Sequence, residues 1–464
     1  MRLAIVIMAA GKGTRLKSKR PKVLHEIGGK ALLRHVISSA SQIVSPQDIF
    51  VVVGHEAAHV EAAVKDTGVK FVPQTEQRGT GHAIQAAEAA VRDYDSLLVL
   101  SGDVPLLKPE TISQLRDFHF EQRAAMTILT AAPADPTGYG RVVRKRADSP
   151  EVTAIVEQKA LTPKQQELHE INSGIYAFET APLFAHINEL TTENAHGEYY
   201  LTDVAGLLVK AGERVVAIEA AQPVEVLGAN TIAEMMDLDR ELRLKTARKL
   251  MAHGVTILRP DTTVIDASVE VGADTVIEPF VQLLGETKIG EDCRVRSYSV
   301  IENSTLANKV LVRQGCVIVD SRIEAGALIG PYSHLRPESE VGEGARVGNF
   351  VETKRVKIGK GSKANHLTYL GDAEIGSGTN VGAGVITCNY DGVNKHRTLI
   401  GDGVFVGSDS TLVAPLTIGN GAYIAAGSCI TENVPEDALA LGRSRQTTKT
   451  GWASLKRGQG KRKD

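Results

Sequence analysis

The spacing of hydrophobic residues divides the chain into two parts with different rhythms. Up to about residue 228, short apolar runs alternate with longer amphipathic segments. This alternation is typical of βαβ units around a parallel sheet. The pattern predicts strands at residues 3–8, 49–53, 69–72, 97–100 and 126–129, and helices at residues 31–44 and 80–91.

A charged segment separates the two parts. Residues 230–253 have the spacing of a helix, carry many charged side chains and contain no glycine before Gly254. We interpret the segment as a connecting helix whose charges form a solvated face. The predicted organisation is therefore an N-terminal domain at 1–228, a linker helix at 229–253 and a C-terminal domain at 254–464.

After Gly254 an aliphatic residue recurs at every sixth position and is commonly followed by glycine. The clearest run comprises Ile400, Val406, Leu412, Ile418, Ile424 and Ile430. This period is the signature of a hexapeptide β-helix, in which aliphatic side chains point inward and successive coils share one core. The period slips between Val347 and Ile358 and between Val381 and Ile400, and we expect an insertion to loop out at both places.

The loop after the first predicted strand has the composition of a phosphate site. Gly11 and Gly13 lie beyond the carboxyl end of that strand, where ligands of open α/β sheets bind. Glycines let backbone N–H groups approach a polyphosphate, and Thr14, Arg15 and Lys22 add a hydroxyl and two positive charges. The loop is therefore a candidate nucleotide site, with a glycine turn flanked by solvated cations as the alternative.

The spacing in this loop excludes the two common nucleotide motifs. Leu16 stands where a dinucleotide fingerprint has its third glycine, and Val6 stands where a P-loop has its first. Asp103 follows the strand predicted at 97–100 and is expected at the same sheet edge. One aspartate beside a bound triphosphate suffices for Mg²⁺, which takes few carboxylates. The alternative is an ordinary turn aspartate.

Composition limits the classes of function. The 464 residues contain 53 Lys and Arg against 55 Asp and Glu, which gives a formal net charge of −2 and no reason to expect nucleic acid or an acidic membrane as a partner. No apolar run approaches the ~18 residues of a spanning helix, and the first residues lack the features of a signal peptide. We therefore expect a cytoplasmic protein. The four cysteines, which we expect to be small core residues, are Cys293, Cys316, Cys388 and Cys429.

Taken together, the motifs resemble those of a known family. The loop at 9–15 together with Pro21-Lys22-Val23-Leu24-His25, Gly79-Thr80-Gly81-His82-Ala83 and Gly102-Asp103-Val104-Pro105 is similar to the sugar-phosphate nucleotidyltransferases. Further segments resemble the bifunctional uridylyltransferases/acetyltransferases that make UDP-N-acetylglucosamine: Gly138-Tyr139-Gly140-Arg141, Ile155-Val156-Glu157, Glu170-Ile171-Asn172-Ser173-Gly174 and Gly228-Ala229-Asn230. The resemblance implies an α/β, Rossmann-like nucleotidyltransferase domain followed by a left-handed parallel β-helix.

For the N-terminal domain the resemblance implies a site for UTP and the UDP-sugar. Arg15 and Lys22 would be catalytic, and Asp103 and Asn230 would share Mg²⁺. Contacts to the nucleotide and sugar would come from Ala9, Ala10, Gly11, Gly13, Lys22, Gln74, Gly79, Thr80, Gly140, Glu157, Asn172 and Asn230. Among these, Gln74, Gly79 and Thr80 would select uracil, and Gly140, Glu157 and Asn172 would contact the sugar. From the residues alone, Asn230 could instead cap the connecting helix, and Glu157 could be a surface charge.

In the C-terminal domain, His366 is the candidate general base. It lies two residues after Ala364, the first residue of its hexad, so we expect it to point away from the core. Histidine titrates in the range needed to take a proton from an amine that attacks a thioester. A lone histidine in a repeat could also be structural, and only the resemblance favours catalysis.

The resemblance also implies the remaining acetyltransferase contacts. Glucosamine-1-phosphate would be held by Arg336, Lys354, Tyr369 and Asn380. Acetyl-CoA would contact Ala383, Asn389, Tyr390, Ser408, Ala426 and Arg443, with Asn389 and Tyr390 closing over the sugar from the second insertion. Family members are trimers, so a homotrimer is implied. The basic residues of the tail, expected to be solvated or disordered, are Lys456, Arg457, Lys461, Arg462 and Lys463.

The function implied is acetyl transfer from acetyl-CoA to glucosamine-1-phosphate, followed by Mg²⁺-dependent uridylyl transfer from UTP. Two rivals remain at this point. One is a monofunctional sugar nucleotidyltransferase whose β-helix serves only to oligomerise the chain. The other is a non-enzymatic subunit like the translation exchange factors that combine both kinds of domain, although Arg15, Lys22 and Asp103 argue against it.

Overall fold

The computed structural model describes residues 2–194 and 196–460. Contacts between Cα atoms divide the chain into two compact units, Met1–Arg243 and Leu244–Asp464. Among the described residues, none of the helices combines the length and the apolar character needed to cross a membrane.

The first unit is built on a mixed sheet. Its strands follow the order Val215–Glu219, Met126–Ala131, Ile171–Glu179, Ser96–Ser101, Leu3–Met8, Ile49–Val53 and Lys70–Pro73. Only Ile171–Glu179 runs antiparallel to its neighbours along this path, and the hairpin Arg141–Arg144 and Val152–Val156 extends from it. The helices are Leu32–Ala40, Ala57–Val64, Thr80–Val91, Pro109–Gln122, Pro163–Gln166, Thr180–His186 and Asp203–Lys210.

Both faces of this sheet are covered, as an α/β sheet requires. Each face of the sheet carries its own buried hydrophobic cluster. Ala4 and Val6 of the strand Leu3–Met8 belong to one cluster, and Ile5 and Ile7 belong to the other, because successive residues of a strand point to opposite faces. The five predicted strands are confirmed to within two residues at each end. The helix predicted at 31–44 ends earlier, at Ala40.

The predicted connecting segment is a helix, Ile232–Ala252. Met235 and Leu238 are buried in a cluster of the first unit, whereas Ala247 and Leu250 are buried in the core of the second. The helix therefore contributes apolar side chains to each unit. The domain boundaries at 228 and 254 stay predictions.

The second unit is a three-faced prism of short parallel strands, which confirms the hexapeptide β-helix. One face comprises Thr256–Ile257, Val276–Ile277, Arg294–Val295, Leu311–Val312, Leu328–Ile329, Arg346–Asn349, Lys363–His366, Asn380–Val381, Phe405–Val406, Tyr423–Ile424 and Leu439–Ala440. The second comprises Val264–Ile265, Gln282–Leu284, Val300–Glu302, Val317–Val319, His334–Leu335, Glu352–Ile358, Tyr369–Ile375, Ile386–Cys388, Thr411–Val413 and Cys429–Ile430.

The third face shares two long strands with the second, because Glu352–Ile358 and Tyr369–Ile375 each turn a corner without breaking the ladder. Its other strands are Glu270–Val271, Lys288–Ile289, Thr305–Leu306, Arg322–Ile323, Ser339–Val341, Thr398–Ile400 and Leu416–Ile418. The inward residues Ile329, Val347 and Ala364 pair in register on successive coils and are all at most 1% exposed. Stacked coils therefore bury one continuous aliphatic column.

Only one of the two expected insertions loops out. The coil from Val347 to Ala364 has 17 residues and continues in the long strand Glu352–Ile358, so the first slip is a one-residue shortening and that expectation was wrong. The shortened corner is turned by Arg355 at a φ of 47°. The coil from Val381 to Val406 has 25 residues, and its extra length forms the segment 389–397 between Ile386–Cys388 and Thr398–Ile400.

The cysteine prediction was correct for two of the four residues. Cys293 and Cys316 are buried, but Cys388 is half-buried and Cys429 is exposed because it lies on the outward side of its strand. In the tail, Trp452–Gly460 is helical, with Lys456 and Arg457 exposed. The other tail cations of the prediction, Lys461, Arg462 and Lys463, lie outside the described residues.

Candidate active sites

The glycine loop and Asp103 meet at one edge of the first sheet. Leu3–Met8 pairs in parallel with Ser96–Ser101, and Met8 is directly opposite Ser101. The segments that follow these strands therefore emerge side by side, as parallel strands dictate. Between them lies a cavity of about 580 Å³. Its lining includes the predicted residues Ala9, Ala10, Gly11, Gly13, Arg15, Lys22, Gln74, Gly79, Thr80, Asp103 and Asn230.

In this cavity, cations from the start of the first unit contact polar side chains that lie much later in the sequence. The Lys22 ammonium forms an ion pair with the Asp103 carboxylate and donates to Asn230 Oδ1 at 3.0 Å. Arg15 also donates to Asn230 Oδ1, at 2.6 Å. The two cations predicted to bind phosphate thus lie beside the two predicted metal ligands.

Asn230 does not cap the connecting helix. The hydroxyl that accepts from the first turn belongs to Thr231, which receives the backbone N–H of Glu234 at 3.2 Å. The side-chain oxygen of Asn230 points instead to Arg15 and Lys22. The geometry therefore removes the alternative interpretation of this residue.

The donor set at Asp103 and Asn230 has the chemistry of a magnesium site. A carboxylate and an amide oxygen converge on one cation, the Lys22 ammonium, so both oxygens face a position that already attracts positive charge. Mg²⁺ takes oxygen ligands and commonly uses few protein groups beside water and phosphate. The described residues contain no cluster of three or more His, Cys, Asp or Glu that could hold a metal.

Gly11 and Gly13 are small for different physical reasons. Gly13 has a φ of 61°, and a Cβ there would lie 2.6 Å from the Lys22 Cβ, so the fold itself requires glycine. A Cβ on Gly11 would meet nothing within 4 Å. Since the chain places no demand on Gly11, close approach of a ligand is a physical reason for its small size.

Gln74 is a buried polar residue in the lining of the cavity. Its side chain is 4% exposed, donates to the Gly79 carbonyl at 3.1 Å and lies 3.0 Å from His82 Nδ1. Gly79 has a φ of 109°, and a Cβ there would lie 2.5 Å from the Tyr199 carbonyl oxygen. Thr80 accepts from the Leu201 N–H at 3.0 Å. These contacts fix the rim predicted to select uracil.

A second cavity of about 300 Å³ adjoins the first, since both are lined by Met8, Thr80, Ser101 and Glu198. Glu157 and Asn172 line the second cavity. A Cβ on Gly140 would lie 3.6 Å from Glu157 Oε2, which places Gly140 beside that carboxylate. The three predicted sugar contacts therefore lie together.

Glu157 is not a surface charge. Burial raises the pKa of its carboxyl, although the Thr202 hydroxyl donates to it at 3.1 Å and opposes that effect. Asn172 donates to the Tyr176 hydroxyl at 2.8 Å, which fixes the orientation of its amide. A carboxylate and an oriented amide in one small cavity can hydrogen-bond the hydroxyl and amide groups of a sugar.

Several residues that line these cavities were not predicted from the sequence. The additional lining residues are Lys12, Gln77, Ser101, Tyr176, His196, Glu198, Tyr200, Leu201 and Thr202. Lys12 stands within the glycine motif and could have been found there. The residues at 196–202 follow no motif, and contacts to residues distant in sequence hold them at the site, among them the hydrogen bond from the Gly81 N–H to the Tyr199 carbonyl at 2.8 Å.

In the second unit, His366 heads a column of predicted CoA contacts. Ala364 is buried and His366 is exposed at the end of its strand, which confirms that the imidazole points away from the core. Backbone hydrogen bonds tie the same corner of successive coils: Gly384 donates to His366, Asp409 to Ala383 and Gly427 to Ser408. Register then aligns His366, Ala383, Ser408 and Ala426 along one edge of the prism.

This column is lined by small side chains and by one cation. Ser408 and Ala426 are exposed, and Arg443 donates to the Ala426 carbonyl at 2.8 Å. An extended ligand can therefore lie along the edge without meeting a bulky side chain between His366 and Arg443. No hydrogen bond to the His366 imidazole occurs among the described residues, so its ring nitrogens are accessible to a ligand on this edge.

Two of the predicted sugar-phosphate contacts, Arg336 and Lys354, lie at another corner of the prism. Arg336 and Lys354 lie on successive coils, and Arg336 pairs with Glu352 at 2.8 Å. The Lys395 ammonium beside Lys354, together with Arg336, lowers the pKa of the Lys354 amine. Lys395 belongs to the inserted segment and was not predicted as a site residue. Mutually repelling cations on an exposed surface are typical of an anion site.

Tyr369 and Asn389 meet over Gly371. A Cβ on Gly371 would lie 2.5 Å from the Tyr369 hydroxyl and 2.8 Å from Asn389 Nδ2, so both side chains cross this glycine. The Tyr390 ring is 60% exposed and its hydroxyl donates to the Gly392 carbonyl at 2.6 Å. Asn389 and Tyr390 are the first two residues of the inserted segment, which lies next to the predicted phosphate contacts.

Within one chain the acetyltransferase residues form separate groups. Asn380 pairs in register with Lys363, on the face that carries His366. Among the described residues no hydrogen bond or ion pair joins His366 to Arg336, Lys354 or Asn380. The structure thus brings the residues predicted for the nucleotide and sugar together around two adjoining cavities, and it leaves the residues predicted for acetyl transfer in separate groups.

Comparison with known proteins agrees with both units. Residues 5–253 match the MobA-like NTP transferase domain, and residues 268–303 and 397–432 match the bacterial transferase hexapeptide family of six repeats. "Bifunctional protein GlmU" of Koribacter versatilis (strain Ellin345) is 61% identical over 463 residues, covering 100% of this chain and 99% of the relative.

Further relatives carry the same name. "Bifunctional protein GlmU" of Solibacter usitatus (strain Ellin6076) is 50% identical and covers 98% of this chain and 97% of its own. That of Streptococcus agalactiae serotype V (strain ATCC BAA-611 / 2603 V/R) is 45% identical and covers 97% of each chain. At such identity over the full length, the chain belongs to the family of bifunctional GlmU proteins, an enzyme family that joins a nucleotidyltransferase domain to a hexapeptide-repeat β-helix.

Proposed function

We propose that the protein catalyses two successive steps of UDP-N-acetylglucosamine synthesis. The second unit transfers the acetyl group of acetyl-CoA to glucosamine-1-phosphate. The first unit then transfers a uridylyl group from UTP to the resulting N-acetylglucosamine-1-phosphate and releases pyrophosphate. Membership of the GlmU family supports this reading over a monofunctional nucleotidyltransferase or a non-enzymatic subunit.

The observation that carries the uridylyl step is the convergence of Arg15, Lys22, Asp103 and Asn230 on one cavity beside the glycine loop. A phosphate oxygen of the sugar phosphate attacks the α-phosphorus of UTP, and the bond from that phosphorus to the bridging oxygen breaks as pyrophosphate leaves. Arg15 and Lys22 neutralise phosphate charge, while backbone N–H groups around Gly11 position the oxygens.

Asp103 and Asn230 are the residues that would hold Mg²⁺. A bound Mg²⁺ would supply further neutralisation of the triphosphate charge. The Lys22 ammonium, paired with Asp103, lies next to these two residues. Gln74, Gly79 and Thr80 would receive the uracil ring, and Gly140, Glu157 and Asn172 the sugar, in the two adjoining cavities.

For the acetyl step, His366 is proposed as the general base. The sugar amine attacks the thioester carbonyl, the C–S bond breaks, and the CoA thiolate leaves while the imidazole takes the amine proton. Ala383, Ser408, Ala426 and Arg443 would hold CoA along the edge that starts at His366. Arg336, Lys354, Tyr369 and Asn380 would hold the sugar phosphate, with Asn389 and Tyr390 closing over it.

A homotrimer is proposed as the working assembly. The hexapeptide repeats support association, and the separate placement of His366 and Lys354 within one chain leaves room for a neighbouring β-helix to complete the site. The expected molar mass in solution is three times that of the chain, and a stable monomer with full acetyltransferase activity would contradict the proposal.

Two variants test whether each activity depends on the residues of one unit only. His366→Ala should abolish acetyl transfer and leave uridylyl transfer intact, because the two sites use separate residues. Asp103→Ala should abolish pyrophosphate release from UTP and leave acetyl transfer intact. Each variant is the control for the other. If His366→Ala changes neither activity, the catalytic role of the imidazole is refuted, and pyrophosphate release by Asp103→Ala at the original rate refutes the metal assignment.

A further inference from the structure

The inserted segment 389–397 is fixed at both ends to one strand of the β-helix. At its start, Asn389 Nδ2 donates to the Asp372 carboxylate. At its end, Arg397 forms an ion pair with Glu374 at 2.5 Å. Asp372 and Glu374 are two residues apart in Tyr369–Ile375, so one strand contacts both ends of the segment that carries Lys395.

The two anchors differ in their surroundings. Arg397 and Glu374 have exposed side chains, 60% and 45% accessible, so their ion pair is screened by water. Asp372 is 8% exposed, and both of its oxygens are used, since Arg355 donates to the other one at 2.6 Å. Hydrogen bonds to a buried carboxylate are the stronger kind, so the Asp372 anchor dominates.

Asp372 also faces the cations of the proposed phosphate site. Arg355, which it binds, directly follows Lys354, and Lys395 acts on Asp372 through its charge. Burial alone would raise the pKa of Asp372, but the hydrogen bonds from Arg355 and Asn389 outweigh it and hold the pKa below its usual range. The carboxylate is therefore a fixed negative charge among repelling cations.

We propose that Asp372 is a positioning residue for the sugar-phosphate site: by fixing Asn389 and Arg355 it holds the inserted segment so that Lys395 stays beside Lys354. Asp372 is buried and each of its oxygens already accepts a hydrogen bond, so it acts through these partners. Without it, the repulsion between Lys354 and Lys395 drives the segment away, and the phosphate loses a cation. This inference rests on the proposed acetyltransferase function.

The test replaces the carboxylate by an amide of the same size. Asp372→Asn should raise the KM for glucosamine-1-phosphate about tenfold, the loss expected for a charge-assisted contact, with the KM for acetyl-CoA and the uridylyl rate unchanged. Glu324→Gln is the matched control, because it removes an exposed carboxylate paired with Arg322 in the same unit. A KM shift no larger than that of the control overturns the proposal.

A second measurement reads the segment itself and does not depend on acetyl transfer. Trypsin cleaves after Lys395 and Arg397, both exposed, and peptide masses report the cleavage rate at native conditions. Asp372→Asn should be cleaved several times faster than Glu324→Gln. Asn389→Ala breaks the same contact from the segment side, leaves the Arg355 pair in place, and should show the same increase even if Asp372→Asn fails to fold.

The two readouts separate the possible failures. Unchanged cleavage in both Asp372→Asn and Asn389→Ala refutes the positioning role whatever the enzyme does. Faster cleavage in both, in a protein that never acetylates glucosamine-1-phosphate, supports the anchor and refutes the proposed substrate. Faster cleavage with an unchanged KM for that substrate refutes the link between the segment and phosphate binding.

Discussion

At the scale of single residues, the nucleotide site depends on where a side chain is absent. Gly13 is glycine because of its positive φ and the nearby Lys22 side chain, whereas no neighbour constrains Gly11. Lys22 in turn connects the Asp103 carboxylate to the Asn230 amide. Small residues and paired charges thus form the surface that is proposed to bind phosphate.

This difference predicts opposite behaviour for two alanine substitutions. Gly11→Ala should change the free energy of unfolding by less than about 0.5 kcal/mol and lower uridylyl kcat/KM at least about tenfold, because its Cβ occupies the space proposed for phosphate. Gly13→Ala should lower the free energy of unfolding by about 1–2 kcal/mol, because φ is 61° and the Lys22 Cβ must move.

Urea titration and steady-state uridylyl rates measure these effects, and acetyl transfer serves as an internal control for both variants. Gly11→Ala with full uridylyl activity would show that no ligand approaches this glycine. If both substitutions lower the free energy of unfolding equally, backbone conformation does not distinguish Gly13 from Gly11, and the account of the two glycines is wrong.

At the scale of elements, helix Pro109–Gln122 contains a buried histidine. His119 is 1% exposed, and its Nδ1 lies 2.8 Å from the Thr127 hydroxyl oxygen. Burial lowers the pKa of this imidazole to about 4, although the Glu179 carboxylate lies 3.4 Å from its Nε2. The folded protein therefore keeps His119 neutral at pH values where an unfolded chain protonates it.

The first unit should consequently lose stability in weak acid. Above pH 6.5 neither state binds the proton, and between 6.5 and about 4 only the unfolded state does, so the loss grows by about 1.4 kcal/mol per pH unit and stops near pH 4. His119→Gln should flatten this dependence in urea titrations at pH 7 and pH 5. The exposed His59→Gln should not, and equal slopes in all three proteins would refute the assignment.

The elements that carry the sites were largely predictable because their rules are local. A parallel sheet brings the carboxyl ends of its strands together, which placed Asp103 beside the glycine loop, and a period of six placed the β-helix core. The shortened coil at Val347 was misread because an interval of eleven fits a lost residue as well as an inserted loop. Lys395, Glu198 and Asp372 were missed because their positions depend on contacts between segments distant in sequence.

At the scale of the whole molecule, the chain combines two folds that each bring a different chemistry. The first unit holds the cavities proposed for a nucleotide sugar, and the second holds the edge and the cation cluster proposed for acyl transfer to a sugar phosphate. Because no active-site residue is shared between the units, loss of one activity should leave the other. Two consecutive reactions on one amino sugar explain why both units occur in a single chain.

The most direct test supplies the wild-type protein with glucosamine-1-phosphate, acetyl-CoA, UTP and Mg²⁺ and identifies every product by mass. We expect free CoA, pyrophosphate and UDP-N-acetylglucosamine, with N-acetylglucosamine-1-phosphate accumulating when UTP is left out. Release of pyrophosphate only when N-acetylglucosamine-1-phosphate is supplied, without any free CoA, would contradict the account and favour a monofunctional nucleotidyltransferase.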